Sequence, residues 1–264
     1  MAILANQSLA SVMTICFVVS TPSVVLAAAD TRVGVHSDCG LLNTDGPHDL
    51  RVDVVSLGRT VTFPYRQRKI RFLGNGSWAV VAGEFSSATL LLDELKSASA
   101  TQFDEAHDHL SLSRQAIEER AIRETGVEVP QLRKTLVLGG SLAGMSWALG
   151  FAPDDPRSNR APGQRLTNWP MDVPNAVQDQ ANAAFDTEFL AACRAQNAIG
   201  LVHAAARLVG LAAHHSQEAS SRAQIGVTVA DPRGGYVARY FDDNVGELLR
   251  LKPSDLFSSS EEAR

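Results

Sequence analysis

The sequence predicts an α+β fold in which two antiparallel sheets are covered by pairs of helices. Strand-like and helix-like stretches come in blocks (strands, two helices, strands, helices, strands) rather than in βαβ alternation, and segregated blocks favour layers over a parallel sheet. The earliest strand-like runs are apolar at every position, which suggests strands buried on both faces. The chain has 264 residues, 45% of them apolar and 20% charged, enough for a self-sufficient core. No internal repeat or linker divides it.

The first element is a hairpin. Thr14-Ile15-Cys16-Phe17-Val18-Val19 and Val24-Val25-Leu26-Ala27 are β-rich, and Thr21-Pro22-Ser23 supplies the turn. A secretory signal is the rival reading of residues 1–29, with the apolar stretch VMTICFVV and LAAA before Asp30, and it would start the mature chain near Asp30. Two defects count against it. The first basic residue is Arg32, so a positive leading region is missing, and Pro22 splits the apolar stretch.

Residues 33–65 are punctuated by Gly, Asp and Pro, with one possible strand at Leu50–Leu57. They read as an excursion, either a surface loop or an added hairpin. Lys69–Phe72 and Trp78–Ala82 form a second hairpin around Gly74-Asn75-Gly76, a strong turn signal. Gly83 closes it. A helix follows, capped by Ser86 or Ser87, with Ala88, Leu91, Leu92 and Leu95 on one face. A second helix is predicted over Glu105–Glu124, with a narrow stripe of Ile117, Ala121 and Ile122.

Strands follow at Leu136–Gly139 and Trp147–Phe151, and the Pro-, Arg- and Asn-rich stretch Asp154–Pro174 reads as loop. A long Ala-rich helical region breaks near Gln196–Asn197, and its second half carries Leu201, Ala205, Leu208 and Ala212 on one face. Strands Gln224–Ala230 and Tyr236–Phe241 flank the turn Asp231-Pro232-Arg233-Gly234-Gly235, and the tail 258–264 is polar and frayed.

Several function classes are excluded. A net charge of −5 without a Lys/Arg block gives no electrostatic basis for nucleic-acid binding. No apolar run approaches the ~18 residues of a membrane-spanning helix. Cys16, Cys39 and Cys193 are odd in number and lack metal-ligand spacing, so they read as reduced thiols of a cytoplasmic protein. The pairs His107/His109 and His214/His215 lack the i, i+4 spacing of two ligands on one helix face. Met145-Ser146-Trp147 is not a nucleophile elbow, and no Gly-rich phosphate loop is present. No metal and no cofactor are expected.

Four short segments go beyond fold class. They are Met13-Thr14-Ile15-Cys16 with Val24 to Arg32; Arg68-Lys69-Ile70; Ala82-Gly83 before a Ser/Ala-rich helix start; and Glu218-Ala219-Ser220-Ser221 running into the strand at Gln224. In this order they resemble the proteasome beta-subunit family of N-terminal-nucleophile (Ntn) hydrolases. The nearest flavour is the bacterial Anbu, or ancestral beta-subunit, type. The resemblance covers roughly residues 13–32, 66–100 and 198–241.

It implies a four-layer αββα sandwich spanning 13–257, preceded by an extension at 1–12. It also implies a threonine-type peptidase whose nucleophile is a chain-terminal threonine, here Thr14. A free α-amine has a pKa near ~8 and can act as general base for its own hydroxyl. Asp30 is then the partner of Lys69, a cation that lowers the pKa values of the hydroxyl and amine. Gly83 offers a backbone N–H to the oxyanion. Glu218 and Ser221 match the acidic-x-x-Ser element that orients the amine. The implied partners are further copies of the chain in a ring or spiral, peptide or protein substrates, and a regulatory ATPase.

Each residue also has a plain structural explanation. Thr14 suits a strand, Asp30 and Arg32 could form an exposed ion pair, Lys69 sits among Arg66, Arg68 and Arg71, and Gly83 fits a strand-to-helix turn. The sequence departs from the family in three ways. Thirteen residues precede Thr14, so either translation starts at Met13 or a propeptide is cut after Met13, where the family usually has Gly. Aligning Val24-Val25-Leu26 instead of Asp30 puts Met13 at the nucleophile's place. The Gly-Ser-Gly element expected before the third helix is not visible around Ala181–Glu188. Two further functions therefore stay open: a catalytically inactive Ntn-fold structural subunit, and an Ntn amidohydrolase acting on a small-molecule amide.

Overall fold

The computed structural model describes residues 14–31, 35–37, 40–42, 51–56, 59–64, 69–82, 85–125, 135–151, 157–216 and 219–255. The predicted extension at 1–12, the tail at 258–264, Met13, Gly83 and Glu218 lie outside them.

The chain opens with the expected hairpin, β1 (Cys16–Ser20) and β2 (Val24–Asp30), and the Thr21 hydroxyl accepts from the Val24 N–H at 2.9 Å to close its turn. Two antiparallel ribbons occupy the excursion, β3 (Val35–Ser37) with β4 (Gly40–Leu42), and β5 (Arg51–Ser56) with β6 (Arg59–Pro64). A second hairpin joins β7 (Ile70–Gly74) to β8 (Ser77–Ala82). Its turn holds Gly74, Asn75 and Gly76 at φ of 104°, 49° and 73°, a conformation for which these residue types are suited.

Three helices follow: α1 (Phe85–Ser97), α2 (Phe103–Leu112) and α3 (Arg114–Thr125). Strands β9 (Leu136–Gly140), β10 (Ser146–Gly150), β11 (Arg157–Arg160) and β12 (Arg165–Asn168) lead into the helices α4 (Asn175–Arg194) and α5 (Ala198–His215). The last elements are β13 (Arg222–Ala230), β14 (Tyr236–Asn244) and the short α6 (Val245–Leu248).

Two five-stranded sheets result, ordered β12-β1-β2-β13-β14 and β11-β10-β9-β8-β7, and all their strand pairs are antiparallel. Side-chain alternation sorts the buried residues into three cores. Phe17, Val19, Leu26, Ala28 and Ile225 face α4 and α5. Val81, Val137, Trp147 and Leu149 face α1, α2 and α3. Cys16, Val18, Val25, Ala27, Trp78, Val80 and Leu138 fill the space between the sheets. The layers are thus helix, sheet, sheet, helix: the predicted α+β αββα sandwich. Continuously apolar β1 and β2 are central strands with both faces covered, which accounts for their composition. Removing residues 1–29, as a signal-peptide cut would, deletes this hairpin.

Three local expectations need correction. The helix predicted over Glu105–Glu124 is two helices separated at Ser113, with α2 packed against β10 and α3 packed against α1. Of the predicted stripe, Ile117 is buried but Ile122 is 45% exposed. The stretch Asp154–Pro174, read as loop, contains β11 and β12. They are edge strands, one on each sheet, and edges tolerate the Arg, Asn and Ser that made the stretch look irregular. The capping serines Ser86 and Ser87 lie inside α1, which begins at Phe85.

Between the sheets, Trp78 reaches from β8 to β13, and its indole N–H donates to the Thr228 hydroxyl at 2.8 Å. Its ring lies over Gly226, where a β-carbon would come within 2.5 Å of ring atoms. Neither backbone nor a buried indole yields cheaply, so Gly226→Ala should cost roughly 1–3 kcal/mol. The expected outcome is a thermal midpoint lowered by several degrees. An unchanged midpoint would show that the sheets separate freely here.

Candidate active site

The site is built where the first sheet's hairpin ends and the second sheet's hairpin begins. The register of β1 on β2 sets Ile15 against Asp30, and the Asp30 N–H donates to the Ile15 carbonyl at 3.1 Å. Thr14 therefore sits two residues before β1, beside the end of β2, and is 6% exposed. Lys69 immediately precedes β7 in the other sheet and is 4% exposed. Its Nζ lies 2.9 Å from Thr14 Oγ1, to which it donates, and 3.4 Å from Asp30 Oδ1. Asp30 is fully buried, and its second oxygen accepts from the Ser220 backbone N–H at 3.1 Å.

These contacts follow from the cost of burying charge. A cation removed from water needs a counter-charge and hydrogen bonds, and Asp30 provides both to Lys69. The Lys69 backbone is held as well: its N–H donates to Gln224 Oε1 at 2.8 Å, and its carbonyl accepts from the Val81 N–H at 3.1 Å. Gln224 in turn donates to Asp242 Oδ2 at 3.4 Å, a carboxylate that also accepts from Arg222 Nε at 2.7 Å. On the other side of Thr14, Asn168 Nδ2 donates to its carbonyl oxygen at 2.7 Å.

The structure brings together Thr14, Asp30 and Lys69 in the register that uses Asp30. It does not bring in Ser221, which is exposed and whose carbonyl accepts from the Val245 N–H at 2.8 Å. Ser220 is the buried serine, with its hydroxyl 3.2 Å from Thr31 Oγ1 and accepting from the Arg222 N–H at 2.9 Å. Ser220 and Ser221 are adjacent in the bend before β13 and differ in burial, so the three-residue spacing from Glu218 selects the exposed serine. Gly83 and Glu218, outside the described residues, have no geometry to report. The segment Ala181–Glu188 is the interior of α4, so a Gly-Ser-Gly turn preceding that helix would fall before Asn175. The residues before α4, Trp169 to Pro174, contain no serine; Asp172 there accepts from the Ser216 hydroxyl at 2.6 Å.

Asn168, Ser220 and Gln224 were missed as site residues. Asn168 was hidden in the stretch read as loop, and only its place at the end of a strand paired to β1 reveals it. Cys16, two residues from Thr14 and on the inter-sheet side, is a rival nucleophile by proximity. Burial pushes its thiol up to about 12, against the opposing pull of the Lys69 charge, so it stays protonated and unreactive.

Among the described residues, no group of three or more His, Cys, Asp or Glu side chains is arranged to hold a metal ion. His107 contacts the neighbouring Asp108 at 3.0 Å, and His109 contacts Glu94 of α1 at 3.4 Å. Nor is any described helix long and apolar enough to cross a membrane. What remains chemically is a buried hydroxyl hydrogen-bonded to an ammonium, with a carboxylate behind it. That arrangement stabilises the hydroxyl's oxyanion form.

No protein-family model matches the chain, and no curated protein does. Among solved structures it is similar to the Thiobacillus denitrificans protein BPH, solved in complex with epoxomicin. That likeness has 17% identity and a TM-score of 0.46, over 83% of this chain and 100% of the other. It is similar also to eukaryotic HslV from Trypanosoma brucei, with 11% identity and a TM-score of 0.44, over 81% of this chain and 98% of the other.

Proposed function

We propose that the protein is a threonine-type peptidase of a self-assembling, proteasome-like complex, with Thr14 as an N-terminal nucleophile. The observation that carries this reading is the buried Lys69 Nζ, 2.9 Å from Thr14 Oγ1 and backed by Asp30. A structural threonine at a strand end does not need a desolvated cation at its hydroxyl. The sequence resemblance to the proteasome beta-subunit family gives the same residues the same tasks.

In the proposed mechanism the chain is first cut, or begun, so that Thr14 carries a free α-amine. Thr14 Oγ attacks the peptide carbonyl carbon, and its proton passes to the amine. Lys69 stabilises the negative charge that builds on Oγ, and the Gly83 N–H receives the substrate oxyanion. The ammonium then returns the proton to the leaving amine, which leaves an ester on Thr14. Water, activated by the same amine, hydrolyses the ester and restores the hydroxyl. Glu218 and Ser220 are the groups assigned to orient the amine, Ser220 replacing the outward-facing Ser221. Substrates are peptides or proteins in the cytoplasm, and further copies of the chain, with a regulatory ATPase, are the partners.

Thirteen residues precede Thr14, and this favours a second reading: an Ntn-fold structural subunit that keeps its N-terminal arm. The mature N-terminus separates the two. Intact-mass measurement of the assembled protein should give a chain beginning at Thr14, whereas retained Met1 would sink the peptidase reading. Thr14→Ala should lower kcat/KM at least roughly a thousandfold while the assembly keeps its size in gel filtration. Lys69→Met should lower kcat about 10²–10³-fold, the scale of removing one preorganised electrostatic donor. Turnover that survives Thr14→Ala would mean a different nucleophile. Iodoacetamide at pH 8 should leave Cys16 unmodified in the folded protein, so alkylation that abolishes activity at Cys16 would move the chemistry to the thiol.

A further inference from the structure

Resting on that reading, we infer that Asn168 is a positioning residue that fixes the Thr14 peptide plane where the β-ladder itself cannot. Strands β1 and β12 pair with Cys16 opposite Asn168. On the β2 side it is Ile15 whose carbonyl is bonded, accepting from the Asp30 N–H. Backbone groups alternate sides along an antiparallel strand, so the Thr14 carbonyl points towards β12. Two residues further along, just past the end of β12, the same register puts Pro170 opposite Thr14. Proline has no N–H, and the ladder stops one bond short of the nucleophile. The Asn168 side chain supplies the missing donor, with Nδ2 at 2.7 Å from the Thr14 oxygen.

The consequence is specific to a residue that begins the chain. With no preceding peptide, Thr14 is oriented by two torsions only, ψ and χ1. Lys69 fixes χ1 through Oγ1, and Asn168 fixes ψ through the carbonyl. The angle χ1 alone sets the amine relative to the hydroxyl it must deprotonate, and ψ sets where the two together stand relative to Lys69 and the rest of the site. Without Asn168 the amine and Oγ swing about the Cα–C bond. Substrate contacts are untouched, so the loss appears in kcat and not in KM. A misplacement of about 1 Å in reacting groups costs on the order of 10²-fold.

The dipeptide Thr-Ile occurs once in the sequence, so threonine labelled with ¹³C at the carbonyl and isoleucine labelled with ¹⁵N give one resonance for the Thr14 carbonyl. Asn168→Ala should move that resonance in the direction of a lost hydrogen bond and lower kcat about 10²-fold with KM unchanged. Asn168→Asp, an acceptor only when ionised, should behave the same way. Adding Pro170→Ala to Asn168→Ala places an N–H opposite the carbonyl and should restore both the resonance and kcat. A general packing defect would not be rescued in this way. A resonance unmoved by Asn168→Ala overturns the inference, whether or not turnover is seen. So does a moved resonance with unchanged kcat in a protein that Thr14→Ala inactivates. Failure of the peptidase reading is distinct, because it shows as turnover that survives Thr14→Ala.

Discussion

Burying one lysine ammonium at the rim of the inter-sheet layer is the constraint on which the site depends. Lys69 belongs to the second sheet and Asp30 to the first, so their ion pair ties the two sheets together at this end. The pair is not an economical way to hold sheets. Apolar side chains of similar volume do as well or better, whereas losing one partner of a buried pair costs roughly 3–5 kcal/mol. At the middle of the same interface the chain uses an apolar solution, Trp78 laid over Gly226. Among the described residues the buried charges, Lys69 and Asp30, stand beside the Thr14 hydroxyl. That contrast within one interface supports a chemical role for the pair better than its geometry alone.

The start of β13 supports the pair from both directions. The Ser220 N–H binds Asp30, and the Gln224 side chain binds the backbone of Lys69. Gln224 is itself held by Asp242 on β14, so the position of the cation is set by a third and a fourth strand. None of these residues need touch a substrate. In the proposed mechanism their effect is to leave Lys69 few ways to relax when the charge on Thr14 Oγ changes, which is what electrostatic preorganisation requires.

How much of this was legible in the sequence depends on whether the signal is local. The β1–β2 hairpin was readable because burial on both faces makes every residue apolar. The turn at Gly74-Asn75-Gly76 was readable because Gly and Asn adopt positive φ most readily, and the helix break at Gln196–Asn197 because asparagine is a good helix N-cap, which Asn197 is for α5. Thr14, Asp30 and Lys69 were named from resemblance, not from composition or period, since each has a plain structural reading in isolation. Asn168 and Gln224 act across strands far apart in sequence, and no periodicity encodes that. Ser221 matches the family's acidic-x-x-Ser element, and only the folded backbone tells that Ser220 is the one turned inward. Polar edge strands β11 and β12 were lost for a related reason: an edge lacks the apolar alternation that marks a half-buried strand.

The excursion between Asp30 and Lys69 shows why such a site can accept long insertions. Two residues that must meet are separated by 38 intervening positions, which hold the β3–β4 and β5–β6 ribbons. Closing a loop costs entropy only as the logarithm of its length, so lengthening it is cheap provided its ends are fixed. Both ends are fixed here on the same strand. The Thr31 N–H donates to the Arg222 carbonyl at 3.1 Å, and the Lys69 N–H donates to Gln224 at 2.8 Å. The first residues of β13 thus staple the base of the excursion beside the ion pair. On the peptidase reading proposed above, substrate preference can vary in the excursion while Thr14, Asp30 and Lys69 stay where β2, β7 and β13 hold them.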